Sequence, residues 1–330
     1  MEVFRTLVNV LPAPSKLTYR TRIMLLGSCF SEHIGNKLVE FKFTTDNNPF
    51  GIVFNPLSID IQLKRLIDGN EYKPHDLFLN EGIWCNFDHH SKFSNVNKEE
   101  CLLTINHRLS DSHLNLKSAD ILFLTFGTAN VYYQKTTQRL VSNCHKVPEK
   151  EFDRKRVSVE EITTIYNQLI RKLSEFNPKL HIVFTVSPVR HWKDGPHENQ
   201  LSKATLMLAI NEICELNSNC FYFPSFEIMM DDLRDYRFYA DDMLHPNTLA
   251  VNYIWKKFKE CFMEQETILL MKEIEKVLQA FKHRPFNIQT EAFQSFARQF
   301  YNKIQFLKAQ YLISFDEEER YFKSFLNSDF

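Results

Sequence analysis

Glycine is scarce in this chain, at seven residues in 330, where an average usage of ~7% would give about 23. Each glycine that is present therefore marks a backbone position with a specific need, and Gly27, Gly51 and Gly127 all fall in segments of chemical interest. The seven cysteines include no CxxC pair. That excludes a zinc-ribbon pattern and leaves no even-numbered disulfide framework, so reduced thiols are expected. An excess of one charge is lacking too. With 40 Lys and Arg against 41 Asp and Glu, there is no basic field to hold phosphates, and nucleic acid is set aside as a partner. No run of about 18 apolar residues offers a membrane span. Met1 to Arg5 has neither the charged start nor the apolar run of a secretory signal, so the expected location is the cytoplasm.

What is present is a globular composition, 44% hydrophobic and 25% charged, with ample material for a core. Arg22 to Leu26 reads as a buried strand that ends at Gly27-Ser28, and Ser31 to Phe41 as a helix with Ile34, Leu38 and Phe41 on one face. Asp46 to Gly51 is dense in turn formers, and Asn55-Pro56 leads into an amphipathic helix through Ile59, Leu63, Leu66 and Ile67. Glu81 to Ser94 lacks a clear period and is read as mostly irregular. Glu99 to Leu109 looks helical. Asp120 to Gly127 is the strongest buried-strand signal, followed by a hairpin pattern at Val131 to Tyr133 and Arg139 to Val141. Helix, strand, helix and strand follow at Val157 to Leu173, His181 to Val186, Asn199 to Leu216 and Cys220 to Phe223. This alternation predicts an α/β fold with a parallel, doubly wound sheet.

Beyond Asn247 the pattern is helical throughout: Leu249 to Phe262, Glu266 to Phe281, Thr290 to Ser314, and a last piece near Phe322 and Phe325. The division expected is an α/β domain over 1–264 and a helical extension over 265–330, serving as appendage, lid or homo-oligomer contact. The Phe293, Phe296 and Phe300 stripe reads as packing.

Chemistry-bearing residues gather where ligands of open α/β sheets bind, after the carboxyl ends of strands. Ser28 and Cys29 follow the first strand, Gly127 and Asn130 the middle one, and Ser187, Arg190 and His191 the next. A thiol at a helix N-terminus feels the positive end of the macrodipole, which favours the thiolate nucleophile. Asp242-Met243-Leu244-His245 offers a base and its orienting carboxylate on one short turn. The backbone N–H groups of Cys29 and Gly51 and the side-chain amide of Asn130 are the candidate oxyanion donors. Ser28 is the rival nucleophile. Arg190 and His191, with Lys193, suit an anionic part of a substrate. Cys85, Asp88, His89 and His90, or Cys144 and His145, form an incomplete ligand set, so no metal and no cofactor are expected and these residues should line or underlie the pocket.

Gly27-Ser28-Cys29-Phe30-Ser31 resembles the name-giving motif of the GSCFA family, with Ser31 where that motif has alanine. Asn143 to Lys146, which includes His145, Ser187 to His191 and Asp241 to Asn247 resemble its other blocks. That family is in turn similar to the SGNH, or GDSL-type, esterases. The resemblance implies a flavodoxin-like three-layer α/β/α sandwich and a triad with Cys29 in the place of the superfamily serine and Asp242 and His245 as its partners. Gly51, in Asn48-Pro49-Phe50-Gly51, would belong to the second block. The third block departs from the superfamily: Gly127-Thr128-Ala129-Asn130 is one residue longer than the usual Gly-x-Asn-Asp. The expected activity is hydrolysis of a small-molecule or carbohydrate acyl ester, with acyl transfer to a carbohydrate or metabolite, or a non-catalytic binding role, as the alternatives.

Overall fold

In the computed structural model, which describes residues 6–311 and 313–326, three buried-strand signals of the sequence become the centre of one sheet. These are β1 (Ile23–Gly27), β5 (Ile121–Phe126) and β9 (His181–Val186). β2 (Thr45–Asn47) lies on one edge and β10 (Cys220–Tyr222) on the other, giving the parallel order β10-β9-β5-β1-β2. Counting only these five strands, the order is 2-1-3-4-5, the flavodoxin-like arrangement. β1 and β5 are buried along their whole length, as strands covered on both faces must be.

Alternation along the strands divides the core into two layers. Met24, Leu26, Leu122, Leu124, Ile182 and Phe184 point to one face. There they meet α2 (Pro56–Asp68), α3 (Lys98–Ser118), α4 (Val159–Phe176) and α5 (Gly195–Leu216). Ile23, Leu25, Ile121, Phe123 and Val183 point to the other face, which is covered by α1 (Cys29–Glu40) and α7 (Thr248–Phe262), while the short α6 (Ser225–Glu227) at the sheet end packs Phe226 into the first layer. The expected three-layer α/β/α sandwich is therefore present.

Helix starts are set by short polar side chains that accept otherwise unpaired N–H groups. Ser28 caps α1, Asn55 caps α2, Asn97 caps α3, Ser158 caps α4 and Asn247 caps α7. The segment read as irregular from Glu81 holds part of a small hairpin, β3 (Phe78–Asn80) with β4 (Ile83–Cys85). The expected hairpin of β6 (Asn130–Gln134) and β7 (Leu140–Val141) gains a third strand, β8 (Phe152–Arg156). β8 reads Phe-Asp-Arg-Lys-Arg and is largely exposed, so it has no apolar run to betray it. β2 was hidden in the same way, because Thr45-Asp46-Asn47 carries turn formers.

The last three helices, α8 (Gln265–Lys282), α9 (Glu291–Tyr311) and α10 (Asp316–Leu326), enclose a core of their own. Phe293 and Phe322 lie inside it and Phe296 and Phe300 pack against it, as expected of the aromatic stripe. Lys42 ties this bundle to the sheet domain through Glu318 at 2.7 Å, a carboxylate only 3% exposed. No helix among the described residues is long and apolar enough to cross a membrane. Met1 to Arg5, and Leu312 within the helix expected from Thr290 to Ser314, lie outside the described residues.

Candidate active site

The turn after β1 is held from three sides. Gly27 adopts φ +138°, and a Cβ there would lie 2.2 Å from Thr125 O, so β1 and β5 meet where a side chain has no room. Gly27 N donates to Asn48 Oδ1 at 2.9 Å and Ser28 N to Thr125 O at 3.2 Å. Ser31 donates its hydroxyl to Thr125 Oγ1 at 2.6 Å, a bond that the family's alanine at this position could not make.

Ser28 and Cys29 are treated very differently by this turn. Ser28 is 1% exposed, and its Oγ accepts the Phe30 N–H as the α1 cap. Cys29, the first residue of the helix, is half-buried. Burial pushes its thiol up from the ordinary value, outweighing the backbone N–H groups of Phe30 and Cys29, which lower it. Glu32 adds to the rise and Lys203 opposes it. The expected thiolate-enriching effect of the helix end is thus present, but burial wins.

Asp242 and His245 form one closed loop. Tyr239 and Pro246 pair across its base, Ala240 N donates to His245 O at 2.8 Å, and Met243 at φ +59° turns the chain. Asp242 Oδ1 accepts the N–H groups of Leu244 and His245, both at 2.9 Å, and Oδ2 lies 2.5 Å from His245 Nδ1. These backbone bonds first, then the imidazole, hold the Asp242 carboxyl down at about 2. His33, one turn after Cys29 on α1, is pushed down by burial, raised by Glu32, and pushed down again by the charge of His245, which places the loop beside this helix. A cleft of about 560 Å³ opens between α1 and α7 at this point, lined by His33, Asn36, Lys37, Asp241, Asn247 and Asn252 among others.

The remaining expected residues fall in several places. Gly51 has φ +81° and packs on His90, where a Cβ would come within 2.3 Å of the histidine Cβ. Its N–H is spent on Asn48 O at 2.8 Å. It therefore shapes the loop and is not a free oxyanion donor in this structure, because the turn that needs its positive φ also takes its amide. Asn130 opens β6 with a half-buried side chain. Val53 N donates to Gly27 O, and Phe54 O accepts from Gly127 N and Thr128 N, so the Asn48 loop is stitched across the ends of β1 and β5.

Arg190 N reaches Leu244 O at 3.4 Å, which brings the segment after β9 to the Asp242–His245 loop. The Arg190 guanidinium lies over Trp192, and its Nε is buried with no acceptor among the described residues. His191 packs edge-on to Phe54 at 5.4 Å, and a Cβ on Gly127 would lie 2.9 Å from its Nε2. Lys193 pairs instead with Glu149 at 2.9 Å on the surface. His145 departs from its expected place among substrate contacts. It is 6% exposed, with Nε2 2.8 Å from Asn86 O and its ring edge-on to Phe78, so it supports the floor formed by Asn86 and His89. Burial drives His89 down to about 3. No group of three or more His, Cys, Asp or Glu among the described residues could hold a metal ion.

Sequence reasoning missed Asn48 and Lys203. Asn48 sits at φ +44° and is 2% exposed, linking Gly27 to Gly51. Lys203 is equally buried, and its Nζ donates to Gly127 O and Ser187 O, each at 2.7 Å. A signal did exist for it. Asn199, Ser202 and Lys203 precede Leu206 at helical spacing, on the stripe that α5 buries, and polar residues in apolar positions are the informative exceptions.

Two family models match, GSCFA family over residues 22–258 and GSCFA domain protein, C-terminal domain, over 274–328. The chain belongs to the GSCFA family. No curated protein matches this GSCFA chain. Among solved structures, a Clostridium thermocellum family 3 carbohydrate esterase is similar at 11% identity and TM-score 0.35, covering 76% of this chain and 96% of that one. A carbohydrate esterase family 3 from Talaromyces cellulolyticus is similar at 10% identity and TM-score 0.31, covering 77% of this chain and 99% of that one.

Proposed function

We propose that this GSCFA protein hydrolyses an acyl ester through a covalent thioester on Cys29, with His245 as acid–base group and Asp242 as its orienter. The observation that carries this reading is the contact of Asp242 Oδ2 with His245 Nδ1 at 2.5 Å. It holds the imidazole in one tautomer, leaving Nε2 to handle the proton of an attacking water. Cys29 is favoured over Ser28 because the serine hydroxyl already serves as the helix cap. Beside the loop, the cleft offers amide, imidazole and ammonium groups from Asn36, Asn252, His33 and Lys37, a lining suited to the hydroxyl-rich alcohol part of a carbohydrate ester. The unpartnered buried Nε of Arg190 suits an anionic oxygen on the substrate.

Intact-protein mass spectrometry after incubation with activated esters tests this reading. An acyl adduct in the parent and in Ser28→Ala, absent in Cys29→Ala, is the expected result. Adduct retained in Cys29→Ala and lost in Ser28→Ala would overturn the assignment. A thioester is also a good acyl donor, so added alcohol that captures acyl product in preference to water would turn the reading from hydrolysis to transfer.

A further inference from the structure

A lysine usually carries its ammonium out to water along an apolar stem. Lys203 does the reverse, running inward from α5 to 2% exposure, with the Phe226 ring centred 5.5 Å from Nζ. Its two acceptors, Gly127 O and Ser187 O, lie just past the ends of β5 and β9. β1 is the neighbour of β5 on its other side, and Ser28 N bonds Thr125 O, two residues before Gly127. The amine is thus lodged at the same edge of the sheet from which Cys29 emerges.

Two carbonyls occupy two N–H groups of Nζ in either protonation state. The third position is an N–H in the ammonium and a lone pair in the neutral amine. Resting on Cys29 as nucleophile, the geometry points to Lys203 as the base that receives the Cys29 thiol proton during attack, with His245 reserved for water. In acylation the S–H bond breaks and an N–H bond forms at Nζ, while the sulfur pair bonds the acyl carbon and the carbonyl π pair moves onto oxygen. On collapse the C–O bond to the alcohol breaks and the alkoxide takes the proton that Nζ held, leaving thioester, free alcohol and neutral amine. In deacylation His245 takes a proton from the attacking water and returns it to the departing sulfur. Location matches this division, since a buried base serves a half-buried thiol and a histidine 46% exposed serves solvent.

The electrostatics of the pair agree. Burial lowers Lys203 to about 7, with the Cys29 charge raising it and Arg190 lowering it, so much of the amine is neutral near neutral pH, where a base works best. Burial lifts Cys29, Glu32 from its own helix lifts it further, and the Lys203 charge opposes both. Around neutral pH the thiol therefore keeps its proton while a large share of the amine is neutral and able to accept one.

Cys29 alkylation by iodoacetamide, followed against pH by mass spectrometry of the full chain, reads this directly and needs no acyl substrate. The unmutated protein should show an inflection near that of the amine. Lys203→Met, checked for folding by circular dichroism, should lose it and label at least about tenfold more slowly at neutral pH, the equivalent of one pKa unit. A folded Lys203→Met with an unchanged profile overturns the pairing, because a lysine that merely stitches two carbonyls would not set the pH dependence of Cys29 alkylation. If the variant does not fold, the parent decides: a single inflection at or above the ordinary thiol value overturns it equally. A shifted profile without any acyl adduct would uphold the pair and sink the hydrolase reading instead.

Discussion

Asn48→Ala should loosen the turn that carries Cys29, at a cost that follows from three bonds of one residue. Asn48 Oδ1 accepts the buried Gly27 N–H at 2.9 Å, its own N–H donates to Leu25 O at 2.8 Å, and its carbonyl accepts from Gly51 at 2.8 Å. Alanine keeps the two backbone bonds and loses the first. An unpaired buried N–H costs about 1–3 kcal/mol. The position has φ +44°, where alanine lacks asparagine's tolerance of the left-handed region, adding about 1–2 kcal/mol. The two together come to about 2–5 kcal/mol, towards the lower end because Asn48 Nδ2 is itself buried without a partner and its removal costs nothing. Urea unfolding read by circular dichroism measures the change in midpoint and slope. Asn48→Gly, which loses the bond and escapes the backbone strain, should fall between parent and Asn48→Ala. An Asn48→Ala protein within about 0.5 kcal/mol of the parent, the range of an ordinary surface change, would refute the reasoning.

Ser31→Ala, which restores the family's residue, removes the bond to Thr125 Oγ1; it should cost about 0.5–1.5 kcal/mol in the same urea assay and leave Cys29 labelling intact. Lys42→Met strands the buried Glu318 carboxylate and should destabilise by about 3–5 kcal/mol, whereas Lys42→Met with Glu318→Leu should recover most of it; equal melting of the single and double variants would dismiss the ion pair as a tether for α8 to α10. Asp242→Asn keeps an oxygen for the Leu244 and His245 amides but gives up the anion beside Nδ1, so turnover of activated esters should fall by on the order of a hundredfold or more with little change in melting temperature. Asp242 also fixes an acid limit. Its carboxyl is depressed from 3.8 to about 2, so its hold on the loop is complete above about pH 4 and is lost as pH falls through about 2; an Asp242 carboxyl carbon signal that titrates at the ordinary 3.8 would contradict the bonds.

Legibility in the sequence followed hydrophobic pattern. β1, β5 and β9 were readable because strands buried on both faces must be apolar throughout, and the helices because their apolar residues recur at helical spacing. The edge strand β2 and the exposed β8 were not, since pairing rather than residue type makes them strands. Asp242 and His245 could be paired from the sequence because one short turn joins them, and they are bonded to each other. Gly51 and His145 were placed near the site but given the wrong work: a backbone amide's partner, Asn48 O for Gly51, and a ring's acceptor, Asn86 O for His145, depend on contacts that no local spacing encodes.

Lys203 shows what a closer reading of pattern would yield. A charged residue on the buried stripe of α5 costs several kcal/mol of desolvation unless it is paired or neutral, and the carbonyls of Gly127 and Ser187 pair it only in part. A chain that needed only to join β5 to β9 could do so with a neutral side chain, as Ser202 does for the amide of Ala129 at 2.8 Å. An amine held near neutrality instead spends stability on a group that can take up and release a proton. That expense is explained if the proton comes from Cys29, and it makes the pH dependence of Cys29 labelling, more than any loss of activity, the measurement on which the site should be judged.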